Sequence, residues 1–219
     1  MAIKKLIPKN NISIKGSLDV SSDKSLSIRA VLFSSIAYGI STLRIKNPGE
    51  DAQTAIEAVQ TLGIKVEKKN DQYTIYGLGV GYRNKKKVKI SFNNSGTTLR
   101  LLAPLIAGSK VNATITGDKS LSKRPYRLEF LKQFLMDLKP TRKQYLPIQI
   151  KGHENCIQSN VKITKPSAQM VSAATIAGMI SYGETVIEAP NNVRDHTTRI
   201  LKYLDYPIKV KNKKKYYLL

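Results

Sequence analysis

Apolar and small residues gather in three long stretches, each opening on a polar cluster: DKSLSIRAVLFSSIAYGISTLRI from Asp23, NSGTTLRLLAPLIAGSKVNATIT from Asn94, and PSAQMVSAATIAGMISYGETVIE from Pro166. In each, a Ser/Thr/Gly/Lys-rich start runs into an Ala/Leu/Ile-rich pattern that predicts a helix. A break of small residues follows, then a Thr/Val/Ile run that predicts a strand. The starts lie about 70 residues apart, too long a period for a solenoid and suited to a folding unit used three times.

The segments between these stretches repeat as well. NPGEDAQTAIEAVQTLGIKVEKKNDQYTIYG predicts an amphipathic helix with Ala55, Ile56, Val59 and Leu62 on one face, leading through Gly63 into two strands. RPYRLEFLKQFLMDLKPTRKQYLPIQIKG reads the same way, with Leu128, Leu131, Phe134, Leu135 and Leu138 on the helix face. RDHTTRILKYLDYPIKVKNKKKYYLL repeats the scheme a third time. Ile64-Lys65-Val66 recurs as Ile208-Lys209-Val210 at the same offset that separates Gly39 from Gly183. The predicted unit is β-α-β-α-β-β and the fold class α/β (α+β).

A helix entrance carries free N–H groups and the positive end of the helix dipole, so three entrances that converge would form one anion site. The polar starts suit that role. Lys24, Ser25 and Arg29 place an ammonium, a hydroxyl and a guanidinium about one helix end. Gly96 lets backbone approach an anion closely, with Thr97 and Thr98 beside it able to cap or bind. Pro125 suits the first turn of a helix and would leave Arg124 at its mouth. Ser167 and Gln169 open the third long helix, and Arg194-Asp195-His196-Thr197 precedes the last. Any one of these clusters could be a cap alone; their recurrence at equivalent entrances points to a phosphorylated or carboxylated small ligand.

Composition narrows the field. With 219 residues and 41% apolar content the chain is ample for a buried core. No apolar run is long enough for a transmembrane span, and the start, MAIKKLIPKN, lacks the apolar stretch of a secretory signal. One cysteine, Cys156, leaves no intramolecular disulfide and fits a reducing cytoplasm, where it reads as an inert small side chain. Two histidines and one cysteine supply no metal-ligand pattern, so no metal is expected. The net charge of +22 admits a nucleic-acid-binding surface. However, the runs Lys85-Lys86-Lys87 and Lys213-Lys214-Lys215 fall at expected turns or strand edges, and aromatics are not interleaved with them. Solvated lysines, with some field left over to draw an anionic substrate, are the favoured reading.

Taken in order, DKSLSIRA, NNSGTTLRLLA, TGDKSLSKRPYR, SAQMVSAATIAGM and RDHTTRIL resemble the 5-enolpyruvylshikimate-3-phosphate synthase family, the 3-phosphoshikimate 1-carboxyvinyltransferases. The match runs from about Ser13 to the end of the chain. The related UDP-N-acetylglucosamine enolpyruvyl transferases match less well at the first three motifs. Ser21-Ser22 stand where the family usually has Pro-Gly, a change expected to loosen the approach to Lys24.

The resemblance implies one lobe of a two-lobed fold, with three β-α-β-α-β-β units packed in pseudo-threefold symmetry over about 23–90, 91–160 and 161–219. Residues 1–22 would be an N-terminal strand segment that belongs with the other lobe. The implied reaction transfers the carboxyvinyl group of phosphoenolpyruvate to the 5-hydroxyl of shikimate-3-phosphate, a step of aromatic amino acid biosynthesis in the cytoplasm, without a cofactor. Lys24 would contact both substrates and act in catalysis. Ser25, Arg29, Ser167, Gln169 and Arg194 would hold shikimate-3-phosphate, while Gly96, Arg124 and Gln169 would face phosphoenolpyruvate. The proton-transfer acid would lie on a complementary C-terminal lobe, leaving this chain inactive alone. A non-catalytic anion-binding lobe, a subunit of a split enzyme, and a basic nucleic-acid-binding protein stay open as alternatives.

Overall fold

A computed structural model describes residues 16–82, 87–190, 193–212 and 214–218. Most of the N-terminal segment 1–22 lies outside these residues; 16–22 carry no strand. Lys85, Lys86 and Lys213 of the two basic runs also lie outside them.

The described chain builds one topology three times. The first unit contains α1 (Lys24–Ile36), β1 (Tyr38–Arg44), α2 (Glu50–Thr61), β2 (Lys65–Lys69) and β3 (Gln72–Leu78). The second contains β4 (Val88–Ser91), α3 (Gly96–Ala107), β5 (Asn112–Thr116), the short α4 (Lys119–Ser122), β6 (Leu138–Arg142) and β7 (Tyr145–Lys151). The third contains β8 (Asn160–Lys162), α5 (Ala168–Met179), β9 (Thr185–Glu188), α6 (His196–Tyr203), β10 (Ile208–Lys211) and β11 (Lys215–Leu218). The sheets run β1-β3-β2, β4-β5-β7-β6 and β10-β11-β9-β8. In each, the last strand of the unit lies between the two before it, antiparallel to both. β4 and β8 add a parallel edge strand to β5 and β9.

The recurring glycines mark the recurring joints. Gly39 and Gly183 both take positive φ, 110° and 91°, where the chain leaves the first long helix of its unit for a strand. A side chain there would be strained, which is why the same residue type recurs at the same step.

α1, α3 and α5 are apolar or small nearly all round, and a helix without a polar face is stable only in an interior. Ile28, Val31 and Leu32 of α1, Leu102 and Ile106 of α3, and Ala173, Ile176 and Ala177 of α5 are fully buried. Each such Leu or Ile contributes about 1.5–3 kcal/mol by leaving water. These three helices thus form the centre, and the sheets and amphipathic helices cover them. α2 follows the expected pattern, with Ala55, Ile56, Val59 and Leu62 buried.

The helix expected around 128–138 is replaced by a single 3-10 stretch, Glu129–Phe134. Leu128, Leu131 and Phe134 are buried at a spacing of three, which suits three residues per turn better than 3.6. Leu135 ends the stretch with φ 62° and is 51% exposed, and Leu138 starts β6 instead of continuing a helix face. Pro125 does not open a helix either. α4 precedes it, capped by the Asp118 carboxylate on the Leu121 N–H (2.6 Å), and Arg124 follows the helix instead of guarding its mouth.

Candidate functional site

The entrances of α1, α3, α5 and α6 face one another. Asp23, Ser95 and Ser167 cap the three central helices, accepting from the N–H groups of Leu26, Thr98 and Met170. One turn in, each helix folds a side chain back onto its own first turn. The Arg29 guanidinium donates to Ser25 O (3.0 Å), that of Arg100 to Gly96 O (3.1 Å), and the Ser172 hydroxyl to Ala168 O (2.7 Å). The internal repeat therefore extends to the side chains at the helix entrances.

From those positions the side chains cross between helices. Arg29 donates through Nε to Thr197 Oγ1 (2.8 Å) on α6, through Nη2 to Ser172 Oγ (2.9 Å) on α5, and through Nη1 to Ser25 Oγ (2.6 Å). Arg100 donates through Nη1 to Gln169 Oε1 (2.8 Å), and Gln169 donates through Nε2 to Thr97 Oγ1 (2.9 Å). The Gln169 amide is thus held from both ends by α3.

Two clefts open on this network. The first, about 140 Å³, includes Lys24, Ser25, Arg29, Gln169, Arg194 and His196 in its lining. The second, about 270 Å³, is lined by Arg100, Arg124, Pro125, Arg127, Ser167 and Gln169. Gln169 borders both. Larger concavities lie over the sheets, and the helix entrances do not contribute to them.

The clefts are rich in uncompensated positive charge. Arg29 is 3% exposed, and burial, together with the nearby Arg194 charge and against that of Asp23, lowers its pKa to about 10. Arg100 is lowered as well, by burial first and then by Arg127 and Arg124. Lys24 Nζ lies 3.4 Å from Asp51 Oδ2. Among the described residues no carboxylate forms an ion pair with Arg29, Arg100, Arg124, Arg127 or Arg194. Carbonyl and hydroxyl dipoles only partly offset buried guanidinium charge, so the electrostatics of the clefts suit an anion.

The expected site residues fall out unevenly. Lys24, Ser25, Arg29, Gln169 and Arg194 share the first cleft, while Ser167 lines the second with Arg124. Arg124 also donates through Nη2 to Asn94 Oδ1 (2.9 Å) and Ser120 Oγ (2.6 Å). Gly96 lines neither cleft; its N–H donates to Asn94 O (3.0 Å), and a Cβ there would stand 2.7 Å from Arg100 Nη1. The glycine leaves room for the arginine to fold back. Ser22, before Lys24, is tied to the end of β1: its N–H donates to Lys46 O (3.0 Å) and its hydroxyl accepts from the Lys46 N–H (2.9 Å). Sequence reasoning gave no role of their own to Arg100, Arg127 and His196, although His196 stood in the last of the polar clusters. The signal for Arg100 was present, since Arg29 follows Ser25 by the same four positions that separate Arg100 from Gly96.

Residues 8–218 match the family model described as EPSP synthase (3-phosphoshikimate 1-carboxyvinyltransferase). The chain belongs to this family. It is 34% identical over 211 residues to the 3-phosphoshikimate 1-carboxyvinyltransferase of Ruthia magnifica, covering 96% of this chain and 48% of that protein. It is 38% identical over 203 residues to that of Endomicrobium trichonymphae, covering 90% and 46%. Among solved structures, EPSP synthase from Acinetobacter baumannii superposes with a TM-score of 0.85 at 32% identity, over 93% of this chain and 47% of that one. The enolpyruvyl transferase NikO from Streptomyces tendae, at a TM-score of 0.65 and 14% identity, shares the fold. The chain spans about half the length of the curated relatives it matches. Its three-unit α/β architecture therefore corresponds to one lobe of the EPSP synthase fold. No helix among the described residues is long and apolar enough to cross a membrane, and no cluster of His, Cys, Asp or Glu there could hold a metal ion.

Proposed function

We propose that this chain is the lobe of a 3-phosphoshikimate 1-carboxyvinyltransferase that carries most contacts to shikimate-3-phosphate. Residues 23–219 form the three-unit lobe, residues 1–22 belong with a complementary C-terminal lobe, and the protein works in the cytoplasm. The observation that carries the reading is the convergence of four helix entrances on Lys24, Ser25, Arg29, Gln169 and Arg194, with no carboxylate among the described residues paired to the arginines.

In this reading Ser25, Arg29, Ser167, Gln169 and Arg194 hold shikimate-3-phosphate. Lys24, Arg124 and Gln169 face phosphoenolpyruvate, Gly96 supports that side only by leaving room for Arg100, and Lys24 sits where the two substrates meet. The Gln169 amide, held between Arg100 and Thr97 on the border of both clefts, supports a shared contact. The second cleft gives phosphoenolpyruvate its own arginines. The carboxyvinyl group passes to the 5-hydroxyl by protonation, addition and elimination. This lobe contributes orientation and fixed positive charge for two anions that otherwise repel each other. The proton-transfer acid is assigned to the complementary lobe.

Calorimetric titration of the 219-residue chain with shikimate-3-phosphate tests the reading. Binding on the order of tens of micromolar to millimolar is expected from half a cleft. No heat at millimolar ligand would overturn it.

A further inference from the structure

We infer that the outer edge of β1 is a strand-acceptor site, filled by a strand of the complementary lobe that pairs with it in parallel and completes the first sheet. The inference rests on the two-lobe reading for the identity of the donor, but not for the openness or direction of the edge.

The three sheets differ by one strand. β4 and β8 lie in parallel on the outer edges of β5 and β9, while β1, in the same place of its own sheet, has no such neighbour among the described residues. Its inner side is bonded to the β3 side of the sheet: the Gly79 N–H donates to Ala37 O (3.0 Å) and the Ile45 N–H to Asp71 O (2.8 Å). Bonding alternates along an antiparallel ladder, so the N–H and C=O groups of Tyr38, Ile40, Thr42 and Arg44 point to the open side.

The side chains of this edge are unlike those of the others. Each of the other edge strands carries lysine, such as Lys68 on β2, Lys89 on β4, Lys139 on β6, Lys162 on β8 and Lys209 on β10. Charges of this kind keep an edge from pairing with another chain. β1 runs from Tyr38 to Leu43 without a charge, and Tyr38 and Ile40 are 95% and 68% exposed. Leu78 and Val80, at the end of β3 and just beyond it, are exposed as well. An open, uncharged, apolar edge is built to be paired.

The repeat shows what fits there. Val88-Lys89-Ile90-Ser91 and Val161-Lys162-Ile163-Thr164 share one alternation, with Ile90, Val161 and Ile163 buried and the lysines exposed. Ile90 lies against Ile115 and Val161 against Ile187, and both strands lead directly into the long helix of their unit. The stretch in that position before α1 is Gly16–Val20, and it forms no strand. It is held instead past the end of β1, where Asp19 Oδ1 meets Lys46 Nζ at 2.8 Å. The covering strand therefore comes from elsewhere. A second copy related by a two-fold axis perpendicular to the sheet would meet β1 antiparallel, whereas β4 and β8 are parallel to their neighbours. The chain spans about half the length of its curated relatives, and the lobe reading already sends residues 1–22 to the complementary lobe. A strand of that lobe with the apolar–polar alternation of β4 and β8 fits the edge, and the two lobes then exchange strands.

The test is backbone-amide hydrogen exchange by NMR on the full chain, alone and mixed with the remaining half of the Ruthia magnifica relative, with sedimentation velocity reporting association. Alone, the outward amides of Ile40 and Thr42 should exchange at least about a hundredfold faster than the inward amides of Ser41 and Leu43. In the mixture the outward amides should slow by a similar factor. Ile40→Lys alters an exposed side chain, so the melting temperature should hold, while association should weaken more than about tenfold. Thr42→Pro, which removes one outward N–H, should weaken it likewise. Association that leaves Ile40 and Thr42 fast, or that Ile40→Lys does not weaken, overturns the acceptor site and leaves the lobe reading standing. Slow outward amides in the chain alone overturn it too. If independent of concentration, they mean that the chain covers its own edge; if rising with concentration, that a second copy does. No association with wild type also overturns it. If the mixture associates and the amides slow, but shikimate-3-phosphate does not bind, the acceptor site stands and the substrate reading falls.

Discussion

Arg29→Ala separates the two tasks that one buried guanidinium performs. Arg29 joins α1 to α5 and α6 through Ser172 and Thr197, and it borders the anion cleft. Hydrogen bonds to a charged donor are worth about 1.5–3 kcal/mol each, so two inter-helix bonds amount to at least about 3 kcal/mol. The loss is smaller than it first looks. The Thr197 hydroxyl donates to Ser172 Oγ at 2.7 Å without help from Arg29, and deleting the guanidinium also removes a buried charge that Arg194 repels. The expected net destabilisation is about 2 kcal/mol, a fall in melting temperature of about 4–8 °C for a chain of this size. Shikimate-3-phosphate binding should fall by more than about a hundredfold, since the anion would lose the buried positive charge at the edge of its cleft. Differential scanning calorimetry and titration calorimetry on the same samples read the two effects separately. A variant with wild-type affinity would refute the assignment of Arg29 to the ligand. One with unchanged melting temperature would refute its role as a tie between helices.

Gln169→Glu should keep or raise stability, because the new carboxylate meets Arg100 at the present 2.8 Å contact, yet weaken phosphate-ligand binding more than about tenfold by placing like charge in the cleft. Titration calorimetry with unchanged affinity would contradict this. Burial pushes the Cys156 thiol up to about 11, so at pH ~8 it should resist a thiol-specific chromogenic reagent until denaturant is added; equal rates in the native and unfolded chain would contradict it. Gly152→Ala should cost more than about 3 kcal/mol in a denaturant titration, because a Cβ there would collide with the carbonyl oxygens of Ser109, Ile106 and Val111. An unchanged midpoint would show that the backbone yields.

The threefold repetition was legible because each unit reuses one pattern of apolar period and joint. Gly39 and Gly183 mark it in the chain and take positive φ in the fold. The failure at 128–138 has a specific cause: a spacing of three at Leu128, Leu131 and Phe134 fits a 3-10 turn, and Leu135, which completed the imagined helix face, is its left-handed end. In the site, residue types at helix entrances pointed to an anion, and Lys24, Ser25, Arg29, Gln169 and Arg194 share one cleft. Local sequence did not show that Arg29 is consumed by hydroxyls from two other helices, that Gly96 serves the packing of Arg100, or that Arg100 orients Gln169. The ties of Arg29 and of Arg100 to Gln169 are contacts between units, and a pattern read within one unit carries no distance to the next; the Gly96–Arg100 pair lies within one helix, at a spacing the sequence already showed.

Whether this lobe belongs to a carboxyvinyl transferase is tested most directly by complementation. The 219-residue chain is mixed with a complementary C-terminal lobe from an EPSP synthase, and phosphate release is followed from shikimate-3-phosphate and phosphoenolpyruvate. A cleft that must exclude water needs both walls, so the chain alone should show no turnover. Turnover should appear on mixing and vanish with Lys24→Met. Release by the isolated chain that Lys24→Met abolishes would place the chemistry within this lobe, and a mixture that binds both substrates without releasing phosphate would contradict the transferase reading.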